Sequence, residues 1–441
     1  MSHLPGHHKI GKKQKLASES VTILNTQYNI NKSLIKYHVF LLVVLSIISK
    51  IVTIGFTIFF ARSSIDYFDL RTYALKSMYL AGGKIPYLDF YHEYPIMSVF
   101  LNLISALPSI LFDNASLVFS SFQLLMILFD IGTVICVYFI ALKIYNERIA
   151  FISGIIYTLS LVAAYTTLTR FDSFAVFLLT FSVLLVLYHK EQGYLINALG
   201  FFTKVFPIIT LPFSIIYLSK ATSYKKQIKD AILFYLIPAV VSIVPFIFLI
   251  GWEKALKPYI FATGSGLTTE YANTFTFMVY SWIHDVFKLS IEFSTISNIL
   301  YGTMIITITG LLFIAYKVKE IKPINFIVYI TISLFVLISF TKFHSPQYFM
   351  WITPFFAILV ADKIEKISVF FLSQLIAYIE FPILFGTFYT NVQYTGRTGS
   401  AQWSVALAFF TIEYIILFIL LYICSSELRG DIKETIKYYF H

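Results

Sequence analysis

Long apolar runs broken by short polar stretches set the elements of this chain. A bilayer crossing takes roughly 20 apolar residues, and the run 38–61 is the first to qualify. A polar-rich insert follows, carrying Asp66, Asp69, Asp89, His92 and Glu93 and ending at Pro95. Residues 96–112 are apolar but short and close on Pro108 and Asp113, which predicts a helix lying at the membrane interface. Full-length spans are then predicted over 116–142, 149–168, 173–188, 231–251, 294–316, 323–341, 348–361, 367–389 and 403–424.

The stretch 194–218 breaks the pattern. Both flanks are rich in polar and basic residues (HKEQ before, SKATSYKKQIKD after), and about 25 residues are too few to cross a bilayer twice. Pro207 lacks the amide hydrogen that a continuous helix would use. Two half-length helices meeting at Lys204 satisfy both constraints. The predicted fold class is therefore an all-α polytopic membrane protein. It has about ten full transmembrane helices, a half-helix pair, and an interfacial helix in the first external loop.

Composition agrees with the pattern. Only 13% of the 441 residues are charged, against about a quarter in soluble domains, and the mean hydropathy is +0.79. The net charge of +10 is thus a topology signal, since Lys and Arg gather in short loops on the cytoplasmic side, and no nucleic-acid partner is expected. This divides the chain into a cytoplasmic basic tail (1–36), a transmembrane module (37–230) with its first external loop at 62–115, a second module (231–424) with an external loop at 252–293, and a cytoplasmic tail (425–441). Cys136 and Cys424 lie in apolar runs and read as packed thiols.

Several polar residues stand out. Asp66 and Asp69 are three apart at the outer mouth of the first span, so a helix there would put both on one face; they are either solvated loop acids or a general base with its neighbour. His92 and Glu93 precede the Tyr94-Pro95 helix start. Arg170 and Asp172 flank an external turn, where an ion pair within the turn competes with a role in a site. Lys204 sits at a depth where a bare ammonium is costly and is expected to hold an anion. Its replacement by Met is expected to spare the fold, because a buried charge disappears. Lys342 and His344 flank another external turn and either snorkel to the interface or face a phosphate. Asp130, Glu380 and Glu413 lie inside spans, where carboxylates pair or stay protonated.

Four of these stretches together resemble one family. Asp69 to Tyr73 (DLRTY), then Ala81 to Tyr87 (AGGKIPY) and Tyr94-Pro95, are similar to the first-loop pattern of the polytopic glycosyltransferases of the GT-C fold, which use lipid-phosphate sugars. Arg170-Phe-Asp172 with Thr203 to Pro207 (TKVFP) resembles the bacterial and archaeal mannosyltransferase-like branch. Ser345 to Trp351 (SPQYFMW) is similar to an element of GPI mannosyltransferase I. The resemblance covers about residues 60–355 and rests on the order of loose motifs.

It implies inverting transfer of a sugar, mannose foremost, from a polyprenyl- or dolichyl-phosphate donor to a glycan, lipid or protein acceptor at the extracytoplasmic face. Asp69, Asp66 and Asp172 are the implied catalytic acids. Lys204, Arg170 and Lys342 would hold the donor phosphate. Tyr73, His92, Glu93, His344, Gln347 and Tyr348 would line the substrate. No cofactor is required by the pattern. Relatives often carry Asp-x-Asp where this chain has Asp-x-x-Asp, which leaves a divalent metal open. A transporter or flippase of a lipid-linked sugar is the rival class. It would show repeat symmetry and charges spread through the bilayer, whereas these acids cluster at one face.

The topology has a direct test. In intact cells a lone cysteine at Ser64 should react with an impermeant thiol reagent, and one at Asn146 should not. Labelling at Asn146 would reverse the side assigned to every later loop.

Overall fold

The computed structural model describes residues 32–60, 68–262, 274–341, 345–389 and 401–433. The chain divides into two compact units, 1–41 and 42–441. Of the first, only the opening of helix α1 (Lys32–Phe60) is described. The site and its supporting contacts all belong to the second unit.

After α1 come α2 (Phe68–Ala81), α3 (Met97–Leu111), α4 (Leu117–Ile144), α5 (Glu147–Thr158), α6 (Leu161–Thr169), α7 (Asp172–Leu187), α8 (Gln192–Phe201) and α9 (Leu211–Ser219). The second half contributes α10 (Tyr224–Ser242), α11 (Val244–Ile250), α12 (Trp252–Ala262), α13 (Phe275–Ser281), α14 (Phe293–Lys317), α15 (Pro323–Phe340), α16 (Phe349–Val360), α17 (Ile364–Tyr378) and α18 (Ala401–Cys424). Pairing of strand type among the described residues is confined to one isolated bridge, Pro86 to Phe90. The all-α expectation holds.

Seven helices among the described residues are long and apolar enough to cross a membrane, or eight if the bent pair α5–α6 forms one span. This is a multi-pass membrane protein. The sequence pattern suggests about ten spans, and the difference has a local origin. The run 149–168 is not one rod: α5 and α6 meet at 53°, where the Ser160 hydroxyl accepts from the Ala163 amide at 3.3 Å and starts a new helix. The run 173–188 forms a helix of 16 residues, about 24 Å at 1.5 Å per residue. The run 348–361 forms one of 12.

The interruption near Lys204 is present. Helix α8 ends at Phe201, a tight turn follows, and a short 3-10 segment (Phe206–Thr210) leads into α9. The two halves pack closely: a Cβ on Gly200 would lie 3.2 Å from the Pro207 ring, so glycine permits the approach. Asn197 bridges the break, its Nδ2 donating to the Pro207 carbonyl at 3.1 Å and to Thr210 Oγ1 at 2.8 Å. The first of these satisfies a backbone carbonyl that a continuous helix would have paired internally. The Met97 amide at the start of α3 donates to the Phe202 carbonyl at 2.9 Å. Helix α3 buries Val99, Leu101, Ser105 and Ala106 while leaving Phe100, Ile104, Leu107 and Leu111 exposed, the two-faced character expected of an interfacial helix.

Two parts of the chain carry more structure than the sequence suggests. The loop between the first two long apolar runs contains helix α2, placing Asp69 in its first turn. Behind it, Lys50 of α1 forms a buried ion pair with Asp130 of α4, and Asp130 also accepts from the Tyr157 hydroxyl at 2.8 Å. A charge pair inside spanning helices ties α1, α4 and α5 together. At the other end, Asp431, expected in a polar tail, is buried and accepts from Asn325 at 2.8 Å and Tyr329 at 2.9 Å.

Candidate active site

Four elements meet at one cluster: the first turn of α2, the 170–172 turn between α6 and α7, the α8–α9 break, and the segment 345–351. Asp69 and Asp172 each sit in the first turn of a helix, where free amides and the helix dipole favour a carboxylate. The cations pair with them across elements. Arg170 Nε lies 2.9 Å from Asp69 Oδ2, and Lys204 Nζ donates to Asp172 Oδ1 at 2.7 Å. The ion pair within the turn, Arg170 with Asp172, is not formed. Arg170 has extended backbone and Asp172 begins a helix, which sends the two side chains to different partners.

Lys204 is enclosed. Its Nζ lies 5.5 Å from the ring centroid of Tyr94, 5.0 Å from Phe171, 5.0 Å from Tyr348 and 5.2 Å from Trp351. Ring faces attract a cation, by roughly 0.5–2 kcal/mol each depending on desolvation, so the cage helps to compensate a buried ammonium. The rings also hold one another: Trp351 stacks on Phe206 at 3.7 Å and on Tyr348 at 3.9 Å. Trp351 Nε1 donates to Asp172 Oδ1 at 2.7 Å, so this one oxygen takes both the lysine and the tryptophan. The other oxygen, Asp172 Oδ2, is buried without a hydrogen-bond partner, as is the Tyr73 hydroxyl. Tyr73 stands on Phe122 (5.2 Å) and against Phe171 (5.5 Å) in the apolar core beneath.

The remaining predicted residues fall around this cluster. Glu93 pairs with Lys76 of α2, and His92 is buried beside them. Gln347 is buried and accepts from the Ser345 hydroxyl, while Tyr348 forms a wall of the lysine cage. Asp66, Lys342 and His344 lie outside the described residues. Trp351, Tyr94, Phe171 and Phe206 are absent from the sequence-derived site set. All four lie inside the quoted motifs, but aromatic residues in an apolar chain read as packing. Among the described residues, no three His, Cys, Asp or Glu side chains gather as a metal site.

Glu380 and Glu413 are also fully buried, with Glu380 Oε1 and both Glu413 carboxylate oxygens lacking a hydrogen-bond partner. They belong to the wide turn after α17 and to α18, apart from the contacts described above.

No protein-family model matches this sequence, and no curated protein matches it. Solved structures do. ArnT from Cupriavidus metallidurans in the apo state superposes with a TM-score of 0.50 at 15% identity, over 89% of this chain and 74% of ArnT. The chain has the fold of ArnT. That bears out the GT-C-like fold implied by the motifs. ArnT bound to undecaprenyl phosphate gives 0.47 at 13% identity over 88% and 77%. The Archaeoglobus fulgidus oligosaccharyltransferase tethered to an acceptor peptide gives 0.40 at 11% over 92% and 55%.

Two predictions follow from the geometry. Because Lys204 is ion-paired, Lys204→Met strands a buried carboxylate, contrary to the expectation that removing a buried charge spares the fold. Stability should fall by about 3–5 kcal/mol, and Asp172→Asn added to it should restore most of the loss. Detergent-solubilised thermal unfolding of both variants measures this, and a double variant no better than the single would show that the pair is not the cause. The second concerns acid. Burial, with Lys76 nearby, pushes the His92 imidazole from about 6.5 down to about 3. Between those values the unfolded chain binds a proton that the folded one refuses, so stability falls as pH drops below about 6.5, by up to about 1.4 kcal/mol per unit. The fall in melting temperature from pH 7.5 to 5 should be smaller in His92→Gln, and an equal fall would assign the acid sensitivity elsewhere.

Proposed function

We propose that this protein is an inverting glycosyltransferase. It moves a sugar, mannose foremost, from a polyprenyl- or dolichyl-phosphate donor to a glycan, lipid or protein acceptor. The observation that carries the reading is the crossed ion-pair cluster, in which two helix-start carboxylates from separate elements lie with two cations around unpaired buried atoms, Asp172 Oδ2 and the Tyr73 hydroxyl. Buried polar atoms are seldom left unsatisfied, and a bound hydroxyl would satisfy these. The ArnT-like fold supports a helical membrane scaffold around the cluster. With the chain oriented by its Lys/Arg bias, the cluster is extracytoplasmic and both termini are cytoplasmic.

In this reading Asp69 is the general base. Its side chain keeps 28% exposure while Asp172 has none, so an acceptor reaches Asp69 more readily. The acceptor O–H gives its proton to Asp69, and its oxygen bonds to the anomeric carbon. The bond from that carbon to the phosphate oxygen breaks, and the phosphate departs on its lipid with the electron pair. Asp172 helps to place the acceptor, its Oδ2 accepting from a second donor group of the bound substrate. Arg170 and Lys204 lie where growing phosphate charge needs cations, and Lys204 reaches the phosphate only by opening its ring cage. Lys342 is assigned to the phosphate on sequence alone.

Purified protein incubated with radiolabelled polyprenyl-phosphate mannose or glucose, and membrane extract as acceptor, tests the reading. Asp69→Asn should bind donor at least as tightly as wild type, because its Arg170 partner loses a competing carboxylate, and lose about 100- to 10,000-fold in turnover. Near-normal transfer by Asp69→Asn would move the base to another carboxylate, and no wild-type transfer from either donor would count against the reaction itself.

A further inference from the structure

The loop 82–96 and helix α12 enclose a cavity of about 340 Å³, at the small end of the roughly 300–1,000 Å³ of small-ligand sites. The loop side is mainly aromatic, with Tyr87, Phe90, Tyr91 and the His92 ring, and it also contributes Leu88 and Asp89, whose carboxylate is held by the loop's own backbone. Across from it stand Lys254 and Lys257, three apart and so on one face of α12. Both lysines are exposed, and Lys257 Nζ lies 5.7 Å from the Tyr91 ring centroid.

The loop is built to hold this shape. Tyr87 has φ of +66°, a conformation disfavoured for a residue with a bulky side chain, and such residues concentrate at functional sites. It is fixed by its amide donating to the Phe90 carbonyl at 3.0 Å and its hydroxyl donating to the Tyr94 carbonyl at 2.6 Å. Asp89 Oδ2 accepts from the Ile85 amide at 2.7 Å.

The hydrogen bonds also settle which His92 nitrogen is bare. The Ser98 hydroxyl donates its single proton to the Pro95 carbonyl at 2.7 Å. Its contact with His92 Nε2, also 2.7 Å, must then be donated by the imidazole. Nε2 carries the hydrogen, and Nδ1 is a lone-pair acceptor. That Nδ1 is buried and has no partner, in a side chain lining the cavity and only 2% exposed. A neutral ring with an unmet acceptor calls for an O–H or N–H donor from a ligand.

We infer that this cavity binds a hexose-sized sugar unit bearing a phosphate. The tyrosine and phenylalanine faces pack against the C–H face of the ring, His92 Nδ1 accepts one sugar hydroxyl, and Lys254 and Lys257 hold the phosphate by charge-assisted hydrogen bonds. The phosphorylated sugar is either a soluble sugar phosphate or a sugar carried on a lipid diphosphate. His92, Glu93 and Tyr94 are consecutive, and they touch the cavity, Lys76 and the Lys204 cage in turn. The cavity thus adjoins the proposed active site, and as the acceptor subsite it rests on the transfer reaction proposed above. As a binding site it does not.

Binding is measured on the full-length protein in detergent with glucose 6-phosphate, glucose and inorganic phosphate as probes. Glucose 6-phosphate should bind at least tenfold more tightly than either of the others. Lys254→Gln/Lys257→Gln should reduce it to the level of glucose, and Tyr91→Ala, at a ring already 54% exposed, should weaken both sugars several-fold. Equal binding of glucose and glucose 6-phosphate, equal binding of inorganic phosphate, or wild-type affinity in the lysine variant would each overturn the inference. Displacement of glucose 6-phosphate by a short-chain polyprenyl diphosphate N-acetylglucosamine marks the lipid-linked source; failure to displace it marks the soluble one. Loss of the transfer reading would show as no wild-type turnover with these affinities intact, so the two failures are distinguishable.

Discussion

Everything around the candidate site depends on keeping one ammonium, that of Lys204, inside an apolar scaffold. A lone buried cation would cost several kcal/mol, so its surroundings must compensate it. A carboxylate at 2.7 Å and four ring faces at 5.0–5.5 Å do so. Those partners come from three separate segments, Tyr94 from the first loop, Phe171 and Asp172 from the α6–α7 turn, and Tyr348 with Trp351 from 345–351, while Lys204 itself comes from a fourth, the helix break. A demand for charge compensation at one point therefore fixes the relative placement of elements distant in sequence. The break must be non-helical for Lys204 to reach inward, and Gly200, Pro207 and Asn197 make that break affordable in backbone terms.

A second buried pair, Lys50 with Asp130, works by the same logic behind the site. It joins α1 to α4, and Tyr157 adds α5. Helices in lipid gain little from apolar contact with each other, because lipid tails are equally apolar. Interhelical charge and hydrogen bonds therefore carry much of the specificity of packing. The two ion pairs act as fixed points of the first module, and the Tyr73–Phe122–Phe171 core fills the space near the site.

How much of this the sequence discloses depends on range. Lys204 and Pro207 are legible because a lysine and a proline in a run too short to cross twice violate a local rule. Asp69 and Asp172 are legible as acids at span ends. The exchange of partners is not: Arg170 stands two residues from Asp172, and nothing local says that it reaches α2 instead. Lys50 carried the same signal as Lys204, a lysine deep in an apolar run, and Asp130 was its available counter-charge. The bend at Ser160 had a helix-start residue to announce it. Trp351 gave no such sign, since its donation to Asp172 is visible only once the helices are assembled.

The pairing has a consequence for charge flow in the proposed transfer. Among the described residues the cluster holds two carboxylates and two cations, each cation paired. An arriving donor phosphate would add negative charge beside them. The chemistry itself resolves this. When Asp69 takes the acceptor proton, its charge is lost and Arg170, 2.9 Å away, is released from its partner. At that moment the departing phosphate gains charge and needs a cation. Asp172 undergoes no such change, so Lys204, with Trp351 on the same oxygen, serves the phosphate only when its ring cage opens. The division of labour then follows from the geometry: the pair whose carboxylate is partly exposed, Asp69 at 28%, turns over first, and the buried Lys204–Asp172 pair changes later.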